Sequence, residues 1–361
     1  MIVRLQKLEL YQFRCFKQKV FDLDHDIIIV HGKNGTGKTS LIEALYYICH
    51  ARSFKTRVVS ELVHEQENHF SVIAQVQNID QDMHDTHVIT CAYVDKKKNI
   101  KIDQRSIRSY KELVRYSQVV SVTQEDIDLV KGGPGGRRDF LDEVLMLYKP
   151  ELLELLKKYQ KVLEQRNALL GSDFVDEVMY DLWTQKLYEL TVQIQAERDI
   201  ILQYLIQESK TVLPKVLGEA VFMHCLYQKK EDIPDIDPVL YIKNKLFYKE
   251  RILQRSLFGA HLDDVSIEYL GKNAKIFGSR GQQKLLVLAL KLSVISLLQR
   301  KNIHPILLLD DFITDFDDLK ITKIIHVLES IDLQIIITTP QDPQALAQSF
   351  MYKKPCIIEL L

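Results

Sequence analysis

The chain is short of net charge, of paired cysteines, of membrane-length apolar runs and, through its middle, of glycine. Its 48 Lys and Arg nearly balance 49 Asp and Glu, leaving a net charge of −1. Such a balance gives no general attraction to a polyanion, so any nucleic-acid contact must come from local patches. The five cysteines, at 15, 49, 91, 225 and 356, form no C-x-x-C pair. They read as reduced thiols rather than as a disulfide framework or a zinc site. No apolar run approaches the roughly 20 residues that span a membrane. Met1-Ile2-Val3-Arg4-Leu5 alternates like a strand rather than a leader. A cytoplasmic protein with no membrane partner is expected.

What is present is a phosphate-binding loop in its proper setting. Gly32-Lys33-Asn34-Gly35-Thr36-Gly37-Lys38-Thr39 fits G-x-x-x-x-G-K-[ST]. An apolar strand, Asp26–Val30, precedes it, and a helix is expected from Ser40 to Ile48. Backbone N–H groups of such a loop wrap phosphates, and the helix N-terminus favours negative charge. Lys38 is placed to reach the β- and γ-phosphates and Thr39 to hold Mg²⁺, with Ser40 beside them.

Glycine spacing and apolar periodicity divide the chain into three. Residues 1–136 show short strand patterns at Val3–Tyr11, Lys19–Leu23, Asp26–Val30, Phe70–Gln77 and His87–Val94, with Lys96-Lys97-Lys98-Asn99 expected as a hairpin tip before Ile100-Lys101-Ile102. Residues 137–251 nearly lose glycine and take helical spacing, as in Tyr159, Val162, Leu163, Ala168 and Leu169. Pro150 suits a helix start and Gly171-Ser172-Asp173 a break. A long helix is expected from about Phe174 to Glu208, limited by Pro214, in a compact lobe without the heptads of a coiled-coil arm. Residues 252–361 return to α/β, with buried-strand runs at Pro305–Leu309 and Leu333–Ile337. The two α/β ends are expected to build one mixed sheet, with the helical lobe inserted.

Ile306-Leu307-Leu308-Leu309-Asp310-Asp311 is an apolar strand ending in two carboxylates. In an ATPase Asp310 would bind Mg²⁺, directly or through water, and Asp311 would polarise the attacking water. Gly278-Ser279-Arg280-Gly281-Gln282-Gln283-Lys284 opens a strongly apolar helix from Leu285 to Leu298. Ser279, Gly281 and Gln282 at a helix N-terminus make a second anion site. One chain does not need two such cradles, so this segment is read as binding the nucleotide of a second subunit, with ATP joining a homodimer. An ordinary capped helix, with Ser279 as cap, is the alternative.

Together these motifs resemble ABC-type P-loop ATPase heads of the SMC class and, within it, the RecF family, over nearly the whole chain. Leu8–Arg14 is similar to that family's opening strand, and Ala51–Arg57 to its basic segment after the first helix. Val130–Asp142 resembles its K-G-S-P-x-x-R-R-x-F-L-D block, Gln165–Leu170 its Q-R-N-x-L-L helix, and Phe258–Asp264 its G-P-H-R-D-D loop. Ser279–Lys284 is similar to its S-x-G-Q-Q-[RK] signature. Departures are Ala260 and Leu262 for Pro and Arg, Gln124 for the Pro of P-E-D, and Thr314-Asp315-Phe316-Asp317 for S-E-L-D. The resemblance implies ATP-dependent dimerisation, slow DNA-stimulated hydrolysis, and binding at single-strand gaps to help load the recombinase RecA, with RecR and RecO as partners.

Asp311 is one methylene shorter than the Glu of many such heads, and Thr338-Thr339 stands where ABC transporters carry a His. Thr339 can hydrogen-bond a γ-phosphate but cannot titrate near neutrality. A slow switch is therefore expected rather than a fast motor. Expected DNA contacts are two basic clusters: Arg52, Lys55 and Arg57, and the stretch Lys96, Lys97, Lys98, Lys101, Arg105 and Arg108. Lys131, Arg137 and Arg138 form a third basic cluster, where for Arg137 and Arg138 helix capping or a head–lobe contact is as much expected as a DNA contact. His261, Asp263 and Asp264 read as loop-ordering residues and Trp183 as lobe core. An ABC transporter subunit and another SMC-like head are the competing functions; basic tips on the lobe argue against the first, and a nuclease head would need an appended domain that is not expected after residue 361.

Overall fold

The structure is a computed structural model describing residues 2–80, 83–107, 109–217, 223–313 and 316–361. Arg108, Thr314 and Asp315, singled out above, lie outside the described residues. The first stretch carries β1 (Ile2–Phe13), β2 (Phe16–Asp22), β3 (Ile27–Gly32), α1 (Lys38–His50), β4 (Phe70–Asp80), β5 (Met83–Val94), β6 (Lys97–Ile102), β7 (Arg105–Ile107), α2 (Tyr110–Leu113) and β8 (Val119–Val122). The middle is mainly helical: α3 (Asp128–Lys131), α4 (Pro134–Tyr148), α5 (Leu153–Gly171), α6 (Glu177–Leu217), β9 (Met223–Gln228), α7 (Pro238–Leu253), β10 (Asp264–Tyr269), β11 (Lys272–Asn273) and α8 (Ala274–Phe277). The last stretch has α9 (Arg280–Gln299), β12 (Ile306–Leu309), α10 (Asp318–Glu329), β13 (Ile335–Thr339), α11 (Pro343–Gln348) and β14 (Cys356–Leu360).

Strands from the two ends of the chain do combine in one sheet, but the first stretch also builds a second sheet of its own. The parallel sheet has the order β14-β3-β13-β12-β8, and the antiparallel sheet the order β2-β1-β4-β5-β6-β7. The division follows from residue pattern. Ile27–Val30, Ile306–Leu309 and Ile335–Ile337 are apolar at every position and fully buried, as strands covered on both faces must be. β1 instead alternates buried and half-buried residues, which suits a sheet with one wet face. α1 packs on strands of both sheets, and eleven of its thirteen residues are buried. A helix apolar on all sides has to be a core helix. Because the parallel strands run together, Gly32, Val122, Leu309 and Thr339 end at one edge, the usual place for a ligand crevice.

Two compact units result: residues 1–127, 208–221 and 279–361 form one, and 128–207 with 222–278 the other. The expected divisions at 136/137 and 251/252 therefore move. β9 pairs with β10, so chain on both sides of residue 251 is tied into the second unit. α4 packs on β10, which draws the start of that unit back to residue 128. The second unit has its own core, including Tyr159, Leu163, Leu187, Ile194, Ile242 and Phe258. Inside it Arg166 and Glu250 are wholly buried and paired bidentately at 2.9 and 2.7 Å.

Four local expectations need correction. α6 does not stop before Pro214 but runs 41 residues, to Leu217, which is about 60 Å of helix. A proline three residues from the end removes a single donor, too little to end a packed helix. The β5–β6 turn is the two residues Asp95 and Lys96, both at positive φ (50° and 60°), so Lys97 and Lys98 belong to the strand. Trp183 is only partly buried, with Lys186 Nζ 5.0 Å over its ring. α9 is, after all, long and apolar enough in composition to cross a membrane. It is nevertheless 83% buried within the protein and packs on β8, so it is a core helix here.

Candidate nucleotide site and basic surface

β3 delivers the phosphate loop to the carboxyl edge of the parallel sheet, and α1 leaves it. Two loop glycines are required by space, and Gly37 by conformation as well. Gly37, the α1 N-cap, has φ 101°, and a Cβ there would lie 2.6 Å from Cys15 Sγ. A Cβ on Gly32 would meet Thr36 Oγ1 at 2.5 Å and the Leu360 carbonyl at 2.7 Å. Lys38 is 4% exposed and donates to the Gly32 and Lys33 carbonyls at 2.9 and 3.2 Å, with Asp311 Oδ2 at 3.9 Å. Its amine is thus held over the loop by acceptors that a phosphate can replace.

The two carboxylates arrive from β12, 271 positions after Thr39, yet Thr39 Oγ1 donates to Asp310 Oδ1 at 3.2 Å. Thr338, from the neighbouring β13, has its hydroxyl 2.9 Å from Asp310 Oδ1 and 3.2 Å from Asp311 Oδ1, and accepts the Asp311 N–H at 2.8 Å. Burial holds the Asp310 carboxyl above the usual range; the Thr338 and Thr39 hydroxyls oppose it, the adjacent Asp311 adds to it, and the Lys55 charge acts against it. Thr339 is 3% exposed and accepts the Gln341 N–H at 3.0 Å. The residues fit Mg²⁺ chemically: Thr39 and Asp310 offer hard oxygen donors at the helix start, as a site completed by substrate phosphates requires. The sequence marked Lys38, Thr39, Asp310 and Asp311; it did not mark Thr338 as the side chain that joins the two carboxylates. The available signal was a hydroxyl at the end of a buried apolar strand.

Ser279 is the N-cap of α9, and Gln282 completes a capping box. Ser279 Oγ accepts the Gln282 N–H at 3.3 Å and Gln282 Oε1 accepts the Ser279 N–H at 2.9 Å. Both side chains thus cap α9, as the capped-helix alternative requires.

The basic clusters are brought together. Arg14 grips Glu43 of α1 with two bonds of 2.7 Å, and Ser53 Oγ also donates to Glu43. Ser53 Oγ in turn accepts the N–H groups of Lys55 and Thr56, which shapes the Arg52–Arg57 loop. Lys98 Nζ donates to the Ala51 carbonyl at 3.1 Å, so β6 lies beside that loop. Strand alternation splits the lysines, however. Lys98 shares the face of Ile100 and Ile102, and partial burial holds its amine below the usual lysine value. Lys97 and Lys101 lie on the other face, and Lys96 is exposed in the turn. Arg105 faces Glu112 at 3.4 Å.

The second unit absorbs the remaining candidates structurally. Arg137 holds Asp264 at 2.7 and 3.0 Å and caps α3 through the Leu129 and Gly132 carbonyls, which is the helix-capping outcome. Arg138 donates to the Asp263 carbonyl, and the buried Asp263 carboxylate accepts from Gln195, Tyr227 and the Lys230 N–H. His261 Nδ1 lies 2.7 Å from Tyr159 OH, and burial lowers its pKa to about 4.

Comparison with known proteins gives one answer. The family model for the RecF/RecN/SMC N terminal domain matches residues 4–353. The DNA replication and repair protein RecF of Acetivibrio thermocellus is 31% identical over 324 residues, 87% of this chain and 87% of its own. RecF of Geobacillus thermodenitrificans is 30% identical over 350 residues, 93% of this chain and 92% of its own. A solved structure of the recombination mediator RecF with ATP, from the RecFOR pathway, matches with a TM-score of 0.87 at 24% identity, covering 99% of this chain and 96% of that one. An Smc head from Pyrococcus furiosus, bound to the C-terminal domain of ScpA, matches at 0.57 and 16% identity, covering 99% and 93%. At these identities the structural likeness speaks for the fold.

Proposed function

The chain belongs to the RecF/RecN/SMC N-terminal domain family, and from that premise we propose that it is an ATP-dependent DNA-binding protein of replication and recombinational repair. The observation that carries the proposal is the junction of Thr39 with Asp310 and Thr338 at the mouth of the phosphate loop. Distant segments meet there in the arrangement that a nucleoside triphosphate site needs.

In this reading the loop N–H groups and Lys38 bind the β- and γ-phosphates, and Lys38 leaves the Gly32 carbonyl to do so. Thr39 and Asp310 hold Mg²⁺, which offsets phosphate charge. Asp311 orients the attacking water and takes its proton. Ser279, Gly281 and Gln282 of a second copy cover the nucleotide, so ATP closes a homodimer and slow hydrolysis opens it. Arg52, Lys55, Arg57, Lys96, Lys97 and Lys101 contact DNA phosphates beside a gap. Lys98 acts mainly by fixing β6 against the end of α1. RecR and RecO are the partners by analogy with the pathway named for the related structure, and the cytoplasm is the compartment.

Gel filtration and gapped-DNA binding of the wild type and Lys38→Ala, each with and without ATP, test the reading. An ATP-dependent dimer and gapped-DNA complex that Lys38→Ala loses are expected. A dimer that persists equally without ATP rejects it.

A further inference from the structure

Asp310 and Asp311 are consecutive at the end of β12, and in an extended chain their side chains would point to opposite faces. Both nevertheless lie within 3.2 Å of one hydroxyl, that of Thr338. The cause is the backbone of Asp311, whose φ of 46° is left-handed, a region costly for residues other than glycine and tolerated by aspartate. Strain of this kind persists only where neighbours over-determine it.

Two side chains do so. Thr338 Oγ1 accepts the Asp311 N–H at 2.8 Å, and Gln124 Nε2 donates to the Asp311 carbonyl at 3.4 Å. Thr338 is 1% exposed, in the middle of the sheet, so its hydroxyl is fixed by the strand. Asp310 Oδ1, at 2.9 Å, is the nearest acceptor for this hydroxyl, which itself accepts the Asp311 N–H. Gln124 lies in a turn tied down by Asp126, which accepts the Thr123 N–H and pairs with Lys291 of α9 at 3.0 Å.

We propose that Thr338 and Gln124 are positioning residues for Asp311: one bond on each side of its backbone keeps the residue left-handed, so that its carboxylate stays on the side of Lys38 and Asp310. Thr338 is the stronger of the two, because its bond is shorter and its side chain is buried. Gln124 supplies the second bond through its side-chain amide. The inference rests on the nucleotide-site reading of the preceding section.

The test compares wild type with Thr338→Val, Thr338→Ser, Gln124→Ala and Lys38→Ala. Amide hydrogen exchange of the segment around Asp311, without nucleotide, reads the backbone directly. Exchange at Asp311 should quicken in Thr338→Val and stay at the wild-type rate in Thr338→Ser, which keeps the hydroxyl. In ATP hydrolysis with DNA, Thr338→Val should lower kcat by about a hundredfold, the loss expected of an ångström-scale misplacement. KM for ATP should stay within twofold, and Thr338→Ser should restore kcat. Gln124→Ala, at an exposed site, should show the same split to a smaller degree, and it carries the test if Thr338→Val does not fold. Unchanged exchange and kcat in both variants overturn the proposal, as does a change that Thr338→Ser fails to rescue. Lys38→Ala separates the two readings: retained ATP affinity there rejects the nucleotide site itself, whatever Thr338 does.

Discussion

Gly37 illustrates what a single residue contributes. Its φ of 101° is open to glycine alone at low cost, and the space a side chain would need is filled by Cys15 of the β1–β2 turn and Phe16 of β2. The pattern G-x-x-x-x-G-K-T shows that a glycine stands there; only the packed structure shows that Cys15 is a second reason for it. Gly37→Ala should therefore distort the loop and weaken nucleotide binding by at least about tenfold, or about 1.4 kcal/mol. Equilibrium titration with a fluorescent ATP analogue reads this, and wild-type affinity would contradict the loop geometry. Thr338 is the opposite case. Its place at the end of an apolar strand is legible, but its bond to Asp310 and Asp311 comes from β12 lying next to β13 in register, with Leu309 opposite Ile337.

At the scale of elements, β6 shows how a run of like charges is divided by the strand period. Lys97 and Lys101 point one way and Lys98 the other, toward the end of α1, where a cation suits the helix dipole. Substituting Lys97 and Lys101 together by Gln should weaken DNA binding and lower the slope of log K against log salt by about 2, at about 0.9 per phosphate contact. Lys98→Gln should change that slope far less; equal changes would return all three lysines to one patch. In the second unit, the loop from Phe258 to Asp264 is ordered by Tyr159 and His261. His261 is held neutral, its pKa lowered by burial from 6.5 to about 4. The folded state binds this proton less readily than the unfolded chain, so the contribution is present above about pH 6.5 and is lost as pH falls toward 4. Between pH 7 and 5 the loss is about 2 kcal/mol, readable as a lower urea midpoint. His261→Gln should flatten that part of the profile.

The whole molecule is two units threaded through one another in sequence, with 128–207 and 222–278 inserted into the ATPase unit. Ligand binding should respect that division. ATP at a hundred times its Kd stabilises the fold that binds it by about 2.7 kcal/mol. Hydrogen exchange of the nucleotide-bound protein should slow in the phosphate loop and around Asp310. The buried Arg166–Glu250 pair of the second unit should keep its exchange pattern. Equal slowing in both units would show that nucleotide orders the whole chain. The insertion also explains why the expected boundaries moved. Composition changes where helices begin, but a unit ends where strand pairing and packing end, and β9 with β10 carry the second unit to residue 278.

By itself the sequence determined the local chemistry: a glycine loop before Lys38 and Thr39, an apolar strand ending in Asp310 and Asp311, a capped α9, and a helical insertion. These follow from short-range rules of periodicity, turn geometry and capping, which act within a few residues. The tertiary structure decided which distant groups meet and which way they face. It set two sheets around α1 in place of one, carried α6 through Pro214, turned Lys98 toward the Ala51 carbonyl, and brought Thr39 to Asp310 and both carboxylates to Thr338. The reason is that parallel pairing fixes neighbours by hydrogen bonds between segments hundreds of residues apart, and no local pattern records which strand lies next to which.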